Sequence, residues 1–68
     1  MSSEEQILDV VLRKLEERKI TLVEALANGA AGDFPVYTNL CGQVRGLAAA
    51  QMEVSDLLRK LKDIDDEN

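Results

Sequence analysis

The apolar residues of this 68-residue chain recur at helical spacing in two runs, separated by one cluster of helix breakers. In the first run Leu8, Leu12, Leu15, Lys19, Leu22 and Leu26 form a 4-3-4-3-4 seam, flanked by Ile7, Val11 and Val23. In the second, Tyr37, Leu40, Val44, Leu47, Val54, Leu58 and Leu61 form another seam, interrupted at Gln51. Steps of three and four bring residues to one side of an α-helix, as in a helix that lies along another helix. The breaker cluster is Asn28-Gly29-Ala30-Ala31-Gly32-Asp33. Gly29 suits a left-handed helix end, Asp33 suits an N-cap, and Pro35 fits the first turn of a second helix.

The pattern therefore predicts an all-α fold: an antiparallel two-helix hairpin, with helices at about 3–28 and 34–62, forming a single domain over 1–68. Ser3-x-x-Gln6, or Ser2-x-x-Glu5, reads as a capping box for the first helix. Thr21-x-x-Glu24 also fits a capping box and would start a new helix after a break near Lys19, but the seam stays in phase across it and favours one helix. Reversal around Ala31 would pair Leu26 with Tyr37, Val23 with Leu40, Lys19 with Val44, Leu15 with Ala48, Leu12 with Gln51 and Leu8 with Ser55. Phe34 is expected to fold back over the turn and close the end of the seam, while residues 63–68 read as a disordered acidic tail.

Size turns the picture toward association. A chain this short buries only roughly 60% of the surface its unfolded form exposes, and disulfides, a metal or another chain are the usual supplements. A single cysteine, Cys41, makes no internal disulfide, and a sequence without histidine lacks the commonest metal ligands. Oligomerisation or a partner protein is then the expected way to complete an aliphatic core.

Charge narrows the partners. The net charge of −5 argues against direct nucleic-acid binding, which needs a clustered basic surface. The basic residues Arg13, Lys14, Arg18 and Lys19 are interleaved with Glu16 and Glu17, as on a solvated helix face, and Asp9–Arg13 and Arg13–Glu17 are spaced as i,i+4 ion pairs. Lys19 sits in the seam itself, either lying along it with its amine in water or meeting an acid of a partner chain. No run of apolar residues reaches the ~18 of a membrane span, acid-rich polar faces disfavour a membrane-surface helix, and the acidic segment after Met1 is unlike a signal peptide. A soluble, non-secreted protein of a reducing compartment is expected.

Candidate chemistry is sparse. Cys41 lies beside the second seam, where a lone cysteine serves most often as a small hydrophobe, and no histidine is present to activate it. No carboxylates are paired in an apolar setting that would raise a pKa. The expectation is no catalytic residue, no cofactor, no metal and no enzyme. Gly42 and Gly46 each cost about 1 kcal/mol against alanine inside a helix, and with Ala49 they make a small-residue stripe suited to close approach by the first helix or by another chain. Gln51, within the seam, is either a register-fixing polar contact or a solvated edge position. The candidate protein interface is Tyr37, Leu40, Gly42, Gly46, Leu47, Ala49 and Gln51.

The segment Tyr37-Thr38-Asn39-Leu40-Cys41-Gly42-Gln43-Val44-Arg45-Gly46-Leu47, followed by Ala50 and Asp56-Leu57-Leu58, resembles small acidic proteins encoded among the structural genes of tailed bacteriophages. Those share a Tyr-x-x-Leu-Cys-Gly-x-x-x-Gly-Leu core after a charged first helix, and the matching positions are Tyr37, Leu40, Gly42, Gly46 and Leu47. The resemblance implies a minor virion component or assembly accessory without enzymatic activity, found in the virion or the host cytoplasm. From the acidic composition comes another reading, a regulatory module such as an inhibitor or antitoxin-like protein that occupies a basic site on its partner.

Overall fold

A computed structural model describes residues 3–66. Two helices, α1 (Ser3–Ala27) and α2 (Phe34–Asp66), pack side by side as an antiparallel hairpin, with no strand among the described residues. The hairpin is a rod of 54 × 14 × 12 Å. Its radius of gyration, 15.7 Å, exceeds the about 11 Å of a compact chain of this length.

α1 is continuous through Lys19 and Thr21. The Thr21 hydroxyl donates to the Glu17 carbonyl at 3.0 Å, the back-bonding of a mid-helix threonine, so the alternative helix start at Thr21 does not occur. Glu4 and Glu5 stand in the first turn, where acids complement the helix dipole, and Glu5 is buried. Of the two capping-box readings, Ser2-x-x-Glu5 begins outside the described residues.

The turn is built as the breaker cluster predicts. Gly29 takes φ +75°, the Gly29 N–H donates to the Leu26 carbonyl at 3.2 Å, and the Ala30 N–H reaches the Ala25 carbonyl at 2.9 Å. Together these bonds make a Schellman cap that satisfies the last carbonyls of α1. Asp33 Oδ1 then accepts from the Val36 N–H at 2.9 Å, and the Tyr37 N–H bonds the Asp33 carbonyl at 3.0 Å, which caps α2 and starts its ladder.

Three expectations need correction. Phe34 does not close the seam: it is 74% exposed and stacks instead on Tyr37, one turn on, with ring centroids 6.3 Å apart. Residues 34–39 are all exposed, so the first turn of α2 projects past the end of α1 and α2 begins to bury residues only at Leu40. The cross-helix pairing is displaced accordingly, and Lys19 meets Gln51 instead of Val44. Side-chain direction adds to the displacement. Helical side chains lean toward their own N-terminus, so in an antiparallel pair Lys19 and Gln51 lean toward each other. Finally, α2 continues to Asp66 instead of ending at 62, making 63–66 helical; the last two residues of the expected tail lie outside the described residues.

Packing is thin. Among the described residues Leu58 is the one buried hydrophobic residue, at 8% exposure, and none of their side chains is fully buried. Leu8, Val11, Leu12, Leu15, Leu22 and Leu26 of α1 and Leu40, Val44, Leu47, Val54 and Leu61 of α2 line the seam half-buried. That is the geometry of a single seam between two cylinders, each open to solvent on its flanks.

Candidate functional site

The predicted interface residues do not share one surface. Leu40, Leu47 and Gln51 are half-buried in the seam, where they belong to the hairpin itself. Tyr37, Gly42, Gly46 and Ala49 are exposed. A Cβ added at Gly42 or Gly46 would meet nothing within 4 Å, so the small-residue stripe is not the place where α1 approaches α2. By helical spacing Gly42 and Ala49 fall opposite the seam and Gly46 on one of its flanks.

Gln51 is the cross-helix polar contact. Its Oε1 accepts from Lys19 Nζ at 2.9 Å, its Nε2 donates to Glu16 Oε2, and Lys19 Nζ lies 3.1 Å from the same Glu16 oxygen. Three side chains thus close a triangle across the middle of the hairpin. The lysine that breaks the first leucine seam answers the glutamine that breaks the second, and a slip in register would leave both without these partners. Lys19 finds an acid on its own helix. The expected Asp9–Arg13 and Arg13–Glu17 pairs are not formed; the ion pairs among the described residues are Glu16–Lys19 and Asp56–Arg59, each i,i+3.

The triangle gives the hairpin a pH dependence. Hydrogen bonding from Gln51, then from Lys19, holds the Glu16 carboxyl below its ordinary value of 4.5. A carboxyl lowered in the folded state adds stability that is present above its unfolded pKa and is lost as pH falls through the folded one. Glu16→Gln removes that increment. In urea titrations followed by helicity, the wild-type chain should be the more stable at neutral pH, with the gap to Glu16→Gln closing as pH falls below the ordinary carboxyl value of 4.5. A gap that stays constant with pH would mean that the carboxylate charge adds nothing.

At the loop end, Cys41 is half-buried and free. Its side chain, one turn after Tyr37, pushes the Tyr37 phenol above its ordinary range through hydrogen bonding and then through charge. With Phe34 stacked on Tyr37 this forms a small aromatic cap on the overhanging turn of α2.

The larger feature is apolar surface, and the seam pattern gives little notice of it. Ile7 is 61% exposed, Leu57 52% and Met52 70%, and Val10, Ile20, Val23, Val36 and Ile64 are also exposed. Ile7, Leu8, Leu57, Leu61 and Ile64 line an open apolar groove between the two helices at the end away from the turn, with Glu4 on one wall and Lys60 on the other. The signal is present in the sequence as hydrophobes lying beside each seam, at Ile7, Val10, Leu57 and Ile64. No helix of the described residues is long and apolar enough to cross a membrane. No protein-family model, curated protein sequence or solved structure matches this chain.

Proposed function

We propose that this chain is a non-enzymatic interaction protein that acts by helix–helix docking, as a minor virion component or assembly accessory of a tailed phage. One observation carries the docking half of this reading: among the described residues the hairpin leaves large hydrophobic side chains exposed on the flanks of a seam that buries a single one. Contiguous exposed apolar surface on a soluble chain marks interaction sites. The phage half rests on the resemblance of the Tyr37–Leu47 segment to small phage structural-gene products. The exposed positions of that motif, Tyr37, Gly42 and Gly46, are available to a partner, whereas Leu40 and Leu47 serve the hairpin.

The test is made on particles of the phage whose genome encodes the chain. Mass spectrometry of purified virions and of assembly intermediates should find the protein at a defined copy number, and deletion of its gene should lower the yield of complete particles. Absence from both fractions, with particle yield unchanged by deletion, overturns the phage reading. Recovery instead on a soluble basic protein, released as salt rises and the Debye length shrinks to ~3 Å at 1 M, would favour the acidic regulatory module.

A further inference from the structure

Resting on the docking half of that reading, we infer that the occupant of the groove at the open end of the hairpin is the same groove of a second copy of this chain. The groove is its own complement. Its floor is apolar, from Ile7, Leu8, Leu57, Leu61 and Ile64, and its two walls carry opposite charges, Glu4 on α1 and Lys60 on α2. A two-fold axis running along the groove, parallel to the helices, lays α1 of each copy antiparallel on α2 of the other. That operation puts floor on floor and sets Glu4 of each copy across from Lys60 of its partner, whereas an unrelated helix would have to supply both charges itself. A two-fold interface uses one patch twice, so a patch that complements itself is what such an interface requires.

The area agrees. The chain has an accessible surface of 5103 Å² for 7.5 kDa, against about 4,200 Å² for a compact monomer of that mass. The excess, about 900 Å², is spread along the rod, and it is of the order of the roughly 800 Å² that each partner buries in a standard interface. Docking of this kind turns two single-seam hairpins into a four-helix bundle with a shared interior, in which Ile7 and Leu57, exposed in the single hairpin at 61% and 52%, become core.

Light scattering on the purified full chain over a concentration series reads the inference directly. Wild-type protein should show the mass of two chains. Ile7→Glu and Leu57→Glu, both at positions exposed in the single hairpin, should raise the dissociation constant at least a hundred-fold. Because these variants can also lose helicity, the charge pair provides the second arm: Glu4→Lys alone should weaken association about ten-fold, and Glu4→Lys with Lys60→Glu should restore it. A wild-type mass of one chain at all concentrations overturns the inference, and so does a dimer indifferent to Ile7→Glu and Leu57→Glu. Neither result touches recovery of the protein from phage particles, so a failed self-interface and a failed phage role are read separately.

Discussion

Replacing Leu58 with alanine should cost about 2–5 kcal/mol, the range for truncating a buried leucine. The cost is large because of where the residue sits. Leu58 is the one described hydrophobic side chain that the hairpin buries, at 8% exposure, with half-buried Val54 and Leu61 to either side of it along the helix. A chain of this length has a total stability of about 3–10 kcal/mol, so the substitution removes a large share of it and can leave the helices only partly formed at room temperature. Urea titration followed by far-ultraviolet circular dichroism checks this, with Leu58→Met as the volume-conserving control expected to lose less than about 1.5 kcal/mol. A loss below about 1 kcal/mol for Leu58→Ala would show that the seam is not anchored there.

The glycines give the second large effect, and it has two signs. Gly29→Ala should destabilise by about 1–2 kcal/mol, because φ +75° at this position forces Cβ against the following carbonyl in an L-residue. Gly42→Ala should stabilise by about 1 kcal/mol, because Gly42 is inside α2, its added methyl meets nothing within 4 Å, and alanine holds a helix better than glycine. For a domain of this size each kcal/mol moves Tm by about 4–8 °C, so the two variants should melt on opposite sides of the wild type. If Gly42→Ala melted lower, another backbone would have to lie against that face of α2 in the working molecule.

The hairpin is legible in the sequence because each device that makes it is local. Seam periodicity, the Asn28–Asp33 breakers, a left-handed Gly29 and an Asp33 cap all act within a few residues, and the structure shows each of them. Register is not legible in the same way. It depends on how far α2 overhangs the turn and on the lean of long side chains, and neither is encoded in the spacing of apolar residues; hence Lys19 meets Gln51 and Phe34 lies outside the seam. The candidate surface is legible in part. Gly42 and Gly46 stand out in the sequence because glycine is costly in a helix, and they prove to face open space. Ile7 and Leu57 look like ordinary flanking residues of good helices, because a seam pattern says which side faces the partner helix and not how wide a strip that helix covers. The helical end of α2 reads as tail because composition alone, in the acidic segment after Lys62, outweighs the continuing helical period at Ile64.

In the proposed reading the hairpin is completed by docking and not by its own seam. Thermal unfolding of the wild-type chain, followed by helicity over a hundred-fold range of concentration, tests this most directly. If folding and docking are coupled, Tm rises with concentration, as it must when only the associated state is stable. A sharp transition whose Tm is the same at every concentration would mean that the hairpin is stable as a monomer, and would contradict completion by docking.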